Sequence, residues 1–122
     1  MNSKQYAVLG LGIFGSTVAT TLAEYGCEVI AVDQDESCVE RVADEVTKAV
    51  VANVTDQEEL RAIGIEDIDV AIVAIGTHLE EAVLATMNLK ELGVPYVIAK
   101  AKNKQSVSYT HLRAHETLRH LV

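Results

Sequence analysis

The residues with the clearest capacity for chemistry lie in the first 33 positions. Gly10-Leu11-Gly12-Ile13-Phe14-Gly15 fits the spacing G-x-G-x-x-G, and an acidic residue, Asp33, follows 18 positions after Gly15. Glycines so spaced suit a phosphate group. Gly10 permits a tight turn, Gly12 lets the backbone approach a pyrophosphate, and Gly15 lets a following helix pack closely. A helix opening in this loop offers the N–H groups of its first turn, Ile13 and Phe14 among them, and a partial positive charge. A carboxylate at Asp33 can accept hydrogen bonds from ribose hydroxyls and repels a 2′-phosphate. Gln34, Asp35 and Glu36 follow it, so no Lys or Arg compensates. The pattern favours NAD(H) or an adenine nucleotide, ATP/ADP, over NADP(H). The plainer alternative is that the glycines only make turns and Asp33 only caps a helix. Sitting at a strand end, Asp33 is expected to contribute little to stability.

Such a motif has meaning only where a strand leads in and a helix leads out. Gln5 to Leu9 reads as a buried strand. A helix is expected from about Phe14 to Tyr25, with Val18 and Leu22 inward, and Gly26 stops it. Glu28 to Val32 is a second strand, ending at Asp33. Asp35 is placed to cap a helix from Glu36 to about Val46. Lys48 to Ala52 is a third strand. Thr55-Asp56-Gln57-Glu58 and Thr77-His78-Leu79-Glu80 both have capping-box spacing. The first opens a short helix to about Ile63. The second opens one carrying Leu79, Ala82, Val83 and Met87 at helical spacing. Between them Val70 to Ile75 is a continuously apolar strand, and Pro95 to Lys100 is a fifth. Regular alternation of strand and helix implies parallel strands with right-handed crossovers. The expected fold is an α/β, Rossmann-like, doubly wound parallel sheet of order 3-2-1-4-5, truncated before a sixth strand.

That order reverses between the first and fourth strands, and ligands bind at such a switch point. Ala74-Ile75-Gly76 closes the fourth strand beside it. Asn53-Val54-Thr55 closes the third, where an adenine would lie; Asn53 and Thr55 also suit plain capping, and the roles can coexist. Lys100 ends the fifth strand at the same rim, facing either the phosphates or solvent. His78 reads as an ordinary exposed histidine.

Composition narrows the function classes. Hydrophobic residues make up 49% and aromatics 4% of the 122, so a packed aliphatic core is expected. The net charge of −8 disfavours free nucleic acid and direct binding to anionic lipid. No apolar run approaches the ~18 residues of a membrane span. The two cysteines, Cys27 and Cys38, form no CxxC pair and read as reduced thiols. There is no Cys–His pair, Ser-His-Asp set or Tyr-x-x-x-Lys pattern, so no enzyme activity is expected.

From about Ser106 the character changes. Val107 to Glu116, VSYTHLRAHE, matches one reading frame of a common transposase adapter. Residues 106–122 are therefore expected to be a non-native, disordered read-through tail, and residues 1–105 the domain proper. His111, His115 and Glu116 have part of a zinc motif, but Arg119 stands where the second histidine belongs, so no metal site is expected.

Three strings carry a family resemblance: KQYAVLGLGIFGSTVATTLAEYGCEVIAVDQDE, VVANVTDQEELRAIGIEDIDVAIVAIG and LKELGVPYVIAKAKN. Residues 1–105 resemble the N-terminal RCK (KTN, TrkA-N) domain of TrkA/KtrA-type potassium-uptake regulators. The resemblance implies a cytoplasmic gating subunit peripheral to the membrane. Such subunits assemble as dimers into a ring beneath a membrane potassium transporter and take NAD(H) or ATP/ADP as effector. Gly10, Gly12, Gly15 and Asp33 match the family's nucleotide motif, Asn53 and Thr55 its adenine-side turn, and Ala74 to Gly76 its fourth-strand exit. Ile13 departs from members that carry Arg there to grip the terminal phosphate of ATP. The competing reading is the NAD-binding domain of an oxidoreductase, which would need a substrate-side acid or base supplied by a later segment.

Overall fold

The computed structural model describes residues 4–75, 78–102 and 107–113. The order of elements is β1 (Gln5–Leu9), α1 (Ile13–Glu24), β2 (Glu28–Asp33), α2 (Glu36–Val42), β3 (Lys48–Val51), α3 (Gln57–Ala62), a single 3-10 turn (Ile65–Asp67), β4 (Val70–Val73), α4 (Leu79–Glu91), β5 (Tyr96–Lys102) and β6 (Val107–Arg113). The first five strands are parallel and ordered β3-β2-β1-β4-β5, as the alternation of the sequence requires.

The inner strands β1, β2 and β4 are short, largely aliphatic and buried on both faces, so alternate residues feed two cores. Ala7, Leu9, Val32, Ala71, Val73 and Val97 turn to one face, where they meet Leu60 of α3 and Ala82, Ala85 and Leu89 of α4. Val8, Val29, Ala31, Val70 and Ile72 turn to the other, where Ala19 of α1 and Val39 and Val42 of α2 cover them. The sheet is thus doubly wound, with α1 and α2 on one side and α3 and α4 on the other. Thr86 is a fully buried polar side chain, and its hydroxyl donates to the Ala82 carbonyl at 2.7 Å.

Several boundaries differ from the sequence reading. Helix α2 ends at Val42, four residues early, and residues 43–47 form turns leading into β3. The inner face of α4 is Ala82, Ala85, Thr86 and Leu89; Leu79 and Met87 are exposed. Small residues win the inward positions because the helix lies close to the sheet. The cap of α3 is Asp56, one residue later than the Thr-initiated box: its carboxylate accepts from the N–H groups of Glu58 and Glu59. At α4 the N-cap is His78, with no side-chain cap; Thr77 lies outside the described residues.

The chain's end needs a correction. Over Val107–Arg113, where the sequence predicts disorder and an unpaired edge, the chain forms β6, antiparallel to β5 from Tyr96↔Arg113 to Lys102↔Val107. An edge strand presents unpaired N–H and C=O groups. Val107, Tyr109 and Thr110 are residues that suit a pleated partner, so backbone pairing prevails over the absence of an apolar alternation. Residues 114–122, with His115, Glu116 and Arg119, lie outside the described residues.

Candidate functional site

The glycine-rich loop is built by backbone constraints that each glycine meets differently. The Gly10 N–H donates to the Val32 carbonyl at 2.8 Å, and the Ala74 N–H donates to the Leu9 carbonyl at 2.7 Å, which binds the ends of β1, β2 and β4 together. Gly10 has φ +100°, and a Cβ there would stand 2.9 Å from the Ala74 carbonyl oxygen. Only glycine meets both the angle and the approach. A Cβ on Gly15 would enter the van der Waals envelope of the Gly10 carbonyl oxygen and lie 2.8 Å from its carbon. Gly15 therefore seats α1 on its own loop more than on the strand. Gly12 is different in kind. Its φ is −69°, ordinary for any residue, and a Cβ there would meet nothing within 4 Å. No steric contact within the fold requires a glycine at position 12.

Gly12 is also the N-cap of α1, and it offers no side-chain cap. No acidic residue occupies the first turn. The 12-residue helix α1 so leaves the positive end of its dipole turned to the loop. Ile13, 89% exposed, begins the helix without adding charge.

Asp33 ends β2 and does more than face a ligand. Its Oδ2 accepts from the Leu11 N–H at 2.7 Å and its Oδ1 from the Asp35 N–H at 2.8 Å. One carboxylate therefore fixes both the glycine-rich loop and the turn into α2. The expectation that its loss costs little stability is corrected: the Leu11 amide is partly buried and would lose its partner. Each oxygen keeps a second lone pair for a ribose hydroxyl. Beyond it, Asp35 caps α2; the Ser37 hydroxyl and N–H both donate to its carboxylate and hold it below the usual range. The Cys38 thiol is pushed up, first by burial and then by the charges of Asp33 and Asp35.

The opposite wall comes from the β3–α3 loop. Asn53 Oδ1 accepts from the Thr55 N–H at 3.0 Å and the Thr55 hydroxyl at 2.7 Å. Glu59 reaches back from α3 to accept from the Asn53 N–H at 2.8 Å. Asn88 of α4 donates its side-chain amide to the Thr55 carbonyl at 3.0 Å and more distantly to that of Val54. Asn53 and Thr55 thus form a side-chain-closed turn ahead of the Asp56 cap rather than capping α3 themselves, and the loop is held from two helices.

These walls enclose a cleft of about 240 Å³ at the carboxyl ends of the strands. Eight of the residues that the sequence points to line it: Gly10, Gly12, Asp33, Asn53, Val54, Thr55, Ala74 and Ile75. Ile13, Phe14 and Gly15 stand behind the loop and shape it without lining the cleft. Gly76 lies outside the described residues, and so does the side chain of Lys100, whose backbone belongs to β5. Leu11, Gln34, Ala52 and Glu81 also line the cleft, although the sequence does not single them out. Leu11, Gln34 and Ala52 adjoin recognised positions. Glu81 has no local signal, because only the packing of α4 brings it there. Among the described residues no His, Cys, Asp and Glu cluster could hold a metal ion.

The cleft thus joins the glycine-rich loop at the N-terminus of α1, the Asp33 carboxylate beside it and a far wall of mixed polar and apolar residues. The TrkA-N domain model matches residues 6–118 of this chain. The Ktr system potassium uptake protein A of Bacillus subtilis is 43% identical over 103 residues, covering 84% of this chain and 46% of that protein. Ktr system potassium uptake protein C of the same organism is 42% identical over 100 residues, covering 82% and 45%. The chain thus spans about half the length of the curated relatives it matches. Among solved structures, the TrkA-N domain of the Escherichia coli inner membrane protein ybaL superposes with a TM-score of 0.71 at 17% identity, covering 84% of this chain and 76% of that one. The NAD(P)-binding domain of an exopolyphosphatase-related protein from Archaeoglobus fulgidus gives 0.67 at 26% identity, covering 77% and 70%.

Proposed function

The chain belongs to the TrkA-N domain family, and from that premise we propose that it is the nucleotide-sensing part of a regulatory subunit of a Trk/Ktr-type potassium uptake system. The observation that carries the ligand half of this reading is Gly12. A glycine with ordinary angles and open space around its missing side chain meets no steric need here beyond an N-cap that Ser, Asp or Asn would fill as well, and a pyrophosphate lying against the backbone accounts for it. The relatives named as potassium uptake proteins support the transport half. The ligand is NAD(H) or ATP/ADP, chosen over NADP(H) by the Asp33 carboxylate, and it acts as an effector rather than a reactant. An effector works by binding one state of an assembly better than another.

On this reading the protein lies at the cytoplasmic face of the membrane, held there by a transporter subunit, and it pairs with copies of itself toward a ring. No described helix is long and apolar enough to cross a membrane. The exposed apolar residues Leu79, Leu84 and Met87 of α4 are consistent with such pairing. The test is titration calorimetry of the chain with NADH, NAD⁺, ADP, ATP and NADPH, followed by potassium flux through the partner transporter in liposomes. Binding of an adenine nucleotide, with NADPH at least roughly tenfold weaker than NADH, is expected. No binding by any of the five ends the proposal. Binding without any effect of nucleotide on flux ends its transport half.

A further inference from the structure

The cleft has a second carboxylate whose place in the fold gives it a task. Glu81 lies on α4, seven residues before Asn88. Residues seven apart share a helix face about 10 Å apart along the axis. Asn88 donates to the carbonyls of Val54 and Thr55, so this face of α4 runs along the loop that closes β3. Glu81 lines the cleft from α4, which shares its side of the sheet with Ala52 and Val54. That is the side away from the N-terminus of α1, which packs on the other face of the sheet. A nucleotide with its phosphates at Gly12 and its ribose at Asp33 sends its base into this far side.

Ala52, Val54 and Ile75 offer the base an apolar bed. The loop's side-chain acceptor is already engaged, since the Thr55 hydroxyl and N–H both donate to Asn53 Oδ1, and the Asn53 N–H donates to Glu59; the Asn53 side-chain N–H groups can only donate. Glu81 is half-buried and enters no hydrogen bond or ion pair with the described residues. A carboxylate can only accept. In the adenine ligands proposed for this cleft, the base-edge group that complements an acceptor is the 6-amino group. We propose that Glu81 is a specificity-determining residue, accepting a hydrogen bond from that amino group and so favouring adenine over a purine that has no donor there. The proposal rests on the reading of the cleft as a nucleotide site and extends it to the base.

The experiment compares ADP with purine riboside 5′-diphosphate, which carries hydrogen in place of the 6-amino group and is otherwise identical. Calorimetry is run on the whole chain and on Glu81→Ala, Glu81→Gln and Glu80→Gln, with thermal melting as a control of folding. The unmutated chain and Glu80→Gln should favour ADP by roughly fivefold or more, as expected of a partly solvated charge-assisted bond. The ratio should fall to about one in Glu81→Ala and lie between in Glu81→Gln, whose carboxamide oxygen still accepts. An unmutated ratio near one overturns the proposal. So does a Glu81→Ala variant that weakens both ligands equally, which would give the residue a general role. Tight but equal binding of both ligands leaves the nucleotide reading standing while removing Glu81 from it; no binding of either removes both.

Discussion

Gly12 and Gly15 lie three residues apart in one motif, and the structure predicts opposite consequences for the same substitution. In Gly15→Ala the new methyl overlaps the Gly10 carbonyl, a backbone group with no rotamer to adopt. Overpacking of a yielding core costs about 1–3 kcal/mol, and an unyielding contact belongs at or above the top of that range. A loss of ~3 kcal/mol lowers the melting temperature of a domain this size by about 10 °C. In Gly12→Ala the methyl meets nothing. Two small terms then oppose each other. Alanine is a poorer N-cap than glycine by about 0.5–1 kcal/mol, while the stiffer unfolded chain returns about 0.4–1 kcal/mol. The melting temperature should stay within about 3 °C of the parent, given that ~1 kcal/mol shifts it by only a few degrees. Binding should nevertheless fall by roughly tenfold or more, because an oxygen accepting at ~2.9 Å from the backbone leaves no room for a methyl beside it. Differential scanning fluorimetry without ligand, then calorimetry with ADP or NADH, separates the two effects. Should Gly12→Ala melt as low as Gly15→Ala, the assignment of open space at Gly12 is wrong. Should it melt normally and bind normally, the phosphates lie elsewhere.

Three further outcomes follow from the same contacts. Asp33→Asn keeps one acceptor oxygen of two; it should lose about 1–2 kcal/mol of stability through the partly buried Leu11 amide and also narrow the preference for NADH over NADPH, and melting at the parent temperature would refute the structural half. The Cys38 thiol is raised by burial and by Asp33 and Asp35, so it is less ionised at neutral pH than a free thiol, and its alkylation rate should rise only at a pH above that of free cysteine; a profile at or below the free-thiol midpoint contradicts this. Truncation after Gln105 removes β6 from the β5 edge but no cleft-lining residue, so ADP affinity should hold within about twofold while aggregation increases; a collapse of affinity would show that the last residues belong to the site.

The parts of the fold legible in the sequence are those encoded by contiguous strings. QYAVL, EVIAV and VAIVAI can be little but buried parallel strands, and a glycine string between the first of them and a helix fixes what the loop does. Strand order follows from connectivity alone, because short right-handed crossovers leave few alternatives. What stays hidden are properties set by partners distant in sequence. The inner face of α4 cannot be read from Leu79 and Met87, since a close-packed helix turns its small residues inward and leaves large ones for the surface. Strand β6 is hidden because an edge recruits backbone, and backbone has no sequence. Glu81 is hidden because its place in the cleft depends on α4, many elements after the glycine motif, packing beside the Asn53–Thr55 loop, to which Asn88 ties it.

The double duty of Asp33 bears on how this cleft could transmit a signal. A carboxylate that served only the ligand would leave the apo fold indifferent to occupancy. Here the same two oxygens hold the Leu11 amide of the loop and the Asp35 amide at the start of α2. A ribose that draws on their remaining lone pairs therefore acts on a junction between β1, β2 and two helices. The far wall is organised in the same way, since the base-side loop is bonded to α3 through Glu59 and to α4 through Asn88. The two walls together thus reach helices on both faces of the sheet, α2 through Asp33 and α3 and α4 through the Asn53–Thr55 loop. An effector need not reshape the core to change the surface that α4 presents; it needs only to tighten loops already tied to it. That makes Asn88 the position at which sensing and surface can be uncoupled: Asn88→Ala removes the ties to the Val54 and Thr55 carbonyls without deleting any cleft-lining side chain.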